Sequence, residues 1–201
     1  MRSAIRLLLL AGVVFTSSVY SQAPKKMKDY LSIPGPVVFN NKTYNLSWTA
    51  HPAANFYKHE YVAKGDTVER FHSMILFDVL TGNANLKDIV AGKIDELKKL
   101  KTQNPAVNYE SFSNSKTGEY MIDFLLTANG ADGTMNIAEH NVYRYKTFTD
   151  KSGKTGAVLF GVSTRGYGNE ISSFLTGLKS NKANLVNQVA QFNIPAIKII
   201  N

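Results

Sequence analysis

The chain has 201 residues, with 23 Lys and Arg against 15 Asp and Glu, and no cysteine. An apolar content of 44% with 19% charged residues excludes wholesale disorder, and zero cysteine excludes disulfide scaffolds, thiolate zinc sites, Fe–S clusters and cysteine nucleophiles. The length suits one compact domain with a tail, and the formal charge of +8 makes the placement of the basic residues the next question.

The first segment has the layout of an export signal. Arg2 and Arg6 precede the apolar run Leu7 to Phe15, and the small and polar residues Thr16, Ser17, Ser18 and Ser21 follow. The run is far shorter than the ~20 apolar residues needed to span a bilayer. Cleavage near Ser21 is expected, and no cysteine is present to carry a lipid anchor. Removing residues 1–21 takes away two Arg and no acid, which lowers the formal charge to +6. No later segment approaches 18 consecutive apolar residues, so the mature protein is expected to lack a transmembrane segment. Export without cysteine suits a bacterial periplasmic or secreted protein, since many periplasmic domains do without disulfides. The triplets Asn41-Lys42-Thr43 and Asn45-Leu46-Ser47 match glycosylation sequons and are discounted on the same ground.

Residues 22–35, with Lys25, Lys26, Lys28, Pro34 and Gly35, read as a flexible basic leader, and 36–201 as a single α+β domain. Residues 36–49 read as a hairpin turning at Asn40-Asn41, since Asn tolerates positive φ. Residues 56–62 suit a strand or an ordered loop. Residues 70–80 form a strand with Phe71, Ile75, Phe77 and Val79 on one face and Arg70, His72, Met74 and Asp78 on the other.

Leu86, Ile89, Val90, Ile94, Leu97 and Leu100 predict a helix over 86–101, capped by Asn85 and stopped at Asn104-Pro105. Strands follow at about 107–113, 119–128, 135–149 and 157–167, joined by short turns rich in Gly, Asn and Asp that force antiparallel neighbours. In the second of these, Tyr120, Ile122, Phe124 and Leu126 oppose Glu119, Met121 and Asp123. Near-helical spacing then runs over 169–192, with Asn169 as the expected cap and possible breaks at Gly177 and Ser180-Asn181; Pro195 ends it.

The order is hairpin, strand, helix, antiparallel meander, terminal helix, which is an α+β arrangement of helices on an antiparallel sheet. This element order over 36–192 resembles the PsbP-like fold, an α-β-α sandwich. The resemblance implies an exported protein of non-catalytic binding or assembly role and assigns no residue. A cystatin-like sheet with a helix is the rival arrangement.

Candidate chemistry is sparse. His51, His59, His72 and His140 show no ligand spacing such as His-Glu-x-x-His, and the neighbours His59 and Glu60 point to opposite faces of a strand. No metal and no cofactor is therefore expected. Ser163 lies in Gly161-Val162-Ser163-Thr164-Arg165, where Arg165 replaces the last glycine of a nucleophile elbow, so it reads as an ordinary strand serine.

The junction Arg165-Gly166-Tyr167-Gly168-Asn169 leads from a strand into a helix whose free N–H groups could hold an anion beside Arg165. Asp78, Glu119, Asp123 and Glu139 could pair for hydrolysis but read first as solvated sheet-face acids. Tyr143-Arg144-Tyr145-Lys146 places rings and cations on opposite strand faces, which argues against a nucleic-acid surface.

The expected ligand-binding surface is the polar sheet face bearing Arg70, His72 and Asp123, with Arg144 and Arg165. The function expected is an exported, non-catalytic binding or accessory protein whose partner is an envelope protein or an anionic envelope polymer. The alternative is a polymer-directed hydrolase using ionisable groups on an open sheet face. A virulence-type or nutrient-capture factor is a variant of the first reading.

Overall fold

The computed structural model describes residues 27–200; the export segment expected at 1–21 lies outside them. Eight strands make one sheet: β1 (Val37–Phe39), β2 (Lys42–Ala53), β3 (Phe56–Ala63), β4 (Ser73–Thr81), β5 (Asn108–Asn114), β6 (Glu119–Asn129), β7 (Met135–Thr149) and β8 (Thr155–Tyr167). Helix α1 (Leu86–Gln103) joins β4 to β5, and a 3-10 turn (Gly168–Glu170) leads into α2 (Ile171–Gln191). The sheet order is β1-β2-β3-β4-β8-β7-β6-β5, antiparallel at every pair. Helix α1 carries the chain to the far edge, and the second meander returns until β8 closes on β4. This is the α+β architecture the short connections predict.

Local chemistry accounts for the elements. Asn40 and Asn41 have φ of 48° and 60°, the doubly positive pair of a two-residue hairpin turn between Phe39 and Lys42. The Asn85 side chain accepts Lys87 N–H at 3.0 Å and Asp88 sits in the first turn of α1. The helix buries Leu86, Val90 and Leu97.

α2 runs unbroken through Gly177 and Ser180-Asn181. Leu185, Val186 and Val189 pack on the sheet, and this outweighs the ~1 kcal/mol propensity cost of a helical glycine. Its start lies close on β8 because position 166 is glycine: a Cβ there would sit 2.7 Å from the Phe174 Cβ. Asn169 does not cap it. The turn is entered through Glu170, whose carboxylate accepts Tyr167 N–H at 3.4 Å.

The helices cover opposite faces. Ile75, Phe77, Val79, Val142, Val158, Phe160 and Val162 meet Val189 of α2, whereas Ile122, Phe124, Tyr145 and Ala157 meet Leu86, Val90 and Leu97 of α1. Phe71 does not continue the Ile75–Val79 face. It lies in the loop before Ser73 and packs with Val62 and Met74 instead.

The leader assignment needs correction over its last third. Leu31 and Ile33 are buried in the main core together with Ile197 and Ile199. Asp29 Oδ1 accepts Leu31 and Ile33 N–H, both at 3.0 Å. Lys198 and Ile200 donate to the carbonyls of Leu31 and Tyr30. Residues 29–33 thus form a strap, and the tail after α2 lies on it. Apolar residues at 31 and 33 have enough surface to bury, and that outweighs the lysines before them.

Candidate functional site

The sequence-predicted site residues do not share one surface. Asp123 and Arg144 face α2. Arg144 is bound to Glu119 at 2.8 Å and donates to the carbonyls of Val189, at 3.3 Å, and Phe192, at 2.8 Å. The last turn of α2 has no basic residue of its own, so this guanidinium from β7 supplies the positive charge there, binding the Phe192 carbonyl at the cap and sharing the Val189 carbonyl with the Phe192 N–H. Arg144→Met is expected to cost about 1–2 kcal/mol and to loosen the last turn of α2. Urea unfolding with amide exchange over 186–192 checks this, and unchanged protection there would refute the capping role.

Asp123 is 3% exposed, not a solvated acid. Its Oδ1 meets His140 Nε2 at 2.9 Å, and Oδ2 lies 3.6 Å from Lys182 Nζ, which also holds Glu110 at 3.0 Å.

The other carboxylates considered for hydrolysis are each tied to a separate base: Asp78 to Lys58 at 2.5 Å, Glu119 to Arg144, and Glu139 to Arg165. Burial pushes the Asp78 and Glu60 carboxyls up, against the opposing pull of Lys58. Ser163 is buried in β8 and donates to Asn141 Oδ1 at 2.5 Å, while Asn141 donates to Glu139 at 2.9 Å. It is a strand serine in a polar network ending at Arg165. Tyr143 and Tyr145 face the α1 cluster, and Arg144 and Lys146 face Glu119 on the other side. Among the described residues no three His, Asp or Glu converge to hold a metal ion.

Arg70, His72 and Arg165 do come together, at the sheet end formed by the β3–β4 loop and the exit from β8. Tyr167 organises this end. Its hydroxyl donates to Phe71 O at 2.9 Å and accepts Phe71 N–H at 3.1 Å, so the loop is pinned to β8. Two cations stack across that tie. The Arg70 guanidinium lies 4.3 Å from the Tyr167 ring centre, and the Arg165 guanidinium 4.0 Å from that of Phe71.

His72 stands edge-on to Tyr167, with Nδ1 3.1 Å from Asp66 Oδ1 and Nε2 3.7 Å from Glu170. Burial alone would raise the Asp66 carboxyl, but the His72 ring and the N–H groups of His72 and Ser73 outweigh it and hold it below the ordinary value. A cleft of about 480 Å3 opens here, lined by Glu69, Arg70, Asn136, Ile137, Tyr167 and Gly168.

Arg165 is not the group that faces this cleft. It is bound to Glu139 and donates to Glu69 O. Arg70, over the Tyr167 ring, is the arginine that lines the cleft. Sequence reasoning missed Asp66, Glu69, Asn136 and the Tyr167 ring. Tyr167 lies inside the junction Arg165-Gly166-Tyr167-Gly168-Asn169, whose sequence signal is carried by its glycines and Arg165 and not by the aromatic ring.

Fold and site together define an antiparallel α+β protein with helices on opposite faces of its sheet and a cleft at one sheet end, lined by Arg70, Glu69 and the Tyr167 ring. The chain belongs to the family whose model matches residues 31–194, a span from the strap through both helices to the tail. No curated protein and no solved structure matches the chain. No helix among the described residues is long and apolar enough to cross a membrane.

Proposed function

We infer that this is an exported bacterial binding or accessory protein of the periplasm or cell envelope, acting without catalysis, and that the Arg70 cleft receives an acidic group of an envelope polymer. One observation carries the ligand assignment. Of the three arginines among the described residues, Arg144 and Arg165 each hold a carboxylate, whereas Arg70 has none within ion-pair distance and rests on Tyr167. A guanidinium backed by an aromatic ring keeps its donor edge in a fixed plane, the geometry that takes a carboxylate or phosphate through two parallel bonds. Asn136 supplies an amide on the same wall, and Glu69 there disfavours a dense polyanion. The element order resembling the PsbP-like fold supports a non-catalytic role, and residues 1–21 support export.

Calorimetry of the mature protein with acidic sugar oligomers and with polyol phosphates tests the ligand. Arg70→Ala is expected to weaken binding tenfold or more, about 1.4 kcal/mol, and added salt to weaken it further. Lys116→Ala, in the β5–β6 turn, should bind as the wild type does. Equal affinity of the Arg70→Ala protein, or binding of neither class of anion, rejects the assignment. Mass spectrometry of the exported chain tests export separately: an N-terminus near Gln22 is expected, and retention of residues 1–21 overturns it.

A further inference from the structure

His59 lies on β3 with no exposed surface, and both ring nitrogens hold the strap. Nε2 accepts the backbone N–H of Tyr30 at 3.1 Å, so it carries no proton. Nδ1 therefore bears the ring proton and donates to the Tyr61 hydroxyl at 3.1 Å, and that hydroxyl donates to Ile33 O at 2.5 Å. One neutral imidazole thus secures the strap at residue 30 and, through Tyr61, at residue 33. The strap in turn carries the tail, because Lys198 and Ile200 donate to Leu31 O and Tyr30 O. Leu31, Ile33, Ile197 and Ile199 close over Val37, Tyr57 and Tyr61 on this part of the sheet.

We propose that His59 is an acid-sensitive latch, whose protonation releases the strap at residues 29–33 together with the tail at 197–200 while the rest of the sheet stays folded. A proton on Nε2 turns the acceptor of the Tyr30 N–H into a donor, so two N–H groups face each other and the bond is lost. The groups around the ring are few. Asp29 stands 3.9 Å from Nδ1 and favours the charged form. The rings of Tyr30 and Tyr61 flank it, His51 stacks on Tyr57 beside Tyr30, and Lys28 sits over Tyr30.

Burial outweighs Asp29 and brings the imidazole down from 6.5 to about 4. With the latched value below the released one, the released state binds more protons between these limits. The latch is therefore at full strength above pH 6.5 and weakens as pH falls towards 4.

Hydrogen exchange of the mature protein over this range, corrected for intrinsic rates, tests the latch. The opening constant read from the amides of Tyr30, Leu31, Ile33, Lys198 and Ile200 is expected to rise up to tenfold per pH unit, with amides of β4 and β8 unaffected. His59→Gln keeps an acceptor near Nε2 and does not titrate, so its strap protection should be flat with pH. Loss of protection in strap, β4 and β8 at one common midpoint overturns the proposal, as does an undiminished pH dependence in the Gln variant. Ring nitrogen shifts of His59 in the wild type give a reading independent of any variant. They should titrate with the strap opening, and a midpoint elsewhere refutes the latch.

Discussion

Replacing Phe160 by alanine is expected to remove about 3–5 kcal/mol of stability, the range for truncating a large buried aromatic. The ring has no exposed surface and sits on β8 where the two meanders meet, paired with Phe77 of β4. It packs on Phe77 at 5.3 Å, stacks on Phe192 at 4.3 Å and meets Phe39 edge-on at 6.0 Å. One side chain therefore joins β1, the β4–β8 seam and the segment after α2. The rings around it stand on two strands and on the segment after α2, so filling the cavity means moving several elements at once, which places the cost at the upper part of the range. With a slope near 2 kcal/mol/M, the urea midpoint should fall by roughly 1.5–2.5 M with little change in slope. Phe160→Leu, which leaves a smaller void, should lose about a third as much. A loss under ~1 kcal/mol for the alanine variant would show that the seam is not held by this cluster.

Much of the fold is legible because its signals are local. The Asn40-Asn41 turn, the capped helix after Asn85 and the alternation through β6 and β7 depend on neighbours in sequence, and all stand where the chain order puts them. What the sequence leaves hidden depends on which face each helix covers and on what the strand ends meet. Period-two alternation separates Asp123 and Arg144 from Tyr143 and Tyr145, but it does not say that α2 lies over the first pair. Once α2 does, Asp123 is buried and Arg144 becomes a helix cap, so neither remains available to a ligand.

Phe71 obeys the alternation on paper and escapes it because the strand starts two residues later, when Asp66 takes the N–H groups of His72 and Ser73. The strap was hidden by its own lysines. Tyr30-Leu31-Ser32-Ile33 has the right apolar spacing for one covered edge, and its partner, the tail at 197–200, lies some 165 residues away. The same distance effect hides the site. Arg70 and Tyr167 are 97 positions apart, and only the closure of β8 on β4 brings the ring under the guanidinium.

The second large effect is expected at Asp123, and it separates a buried polar pair that stabilises from one that must merely be satisfied. Asp123 and His140 are 3% and 2% exposed, joined at 2.9 Å beneath α2. His140 Nδ1 has no hydrogen-bond partner among the described residues, so the Asp123 carboxyl is the ring's one polar contact of this kind there. Asp123→Leu alone is expected to cost about 3–5 kcal/mol, since it strands the imidazole in an apolar layer. Lys182 keeps Glu110 and should add little to the loss.

Changing His140 to Phe in the same chain removes the stranded group and fills a similar volume. The double variant should regain most of that loss, because a buried pair replaced whole by apolar residues is often neutral or better. The coupling energy from the full cycle then measures the cost of leaving one partner unpaired, not the worth of the bond. A double variant no more stable than Asp123→Leu would mean that the polar pair itself fixes α2 on the sheet. Amide protection along 178–186 should then fall in both variants, and it should stay at the wild-type level in the double variant if satisfaction is all the pair provides.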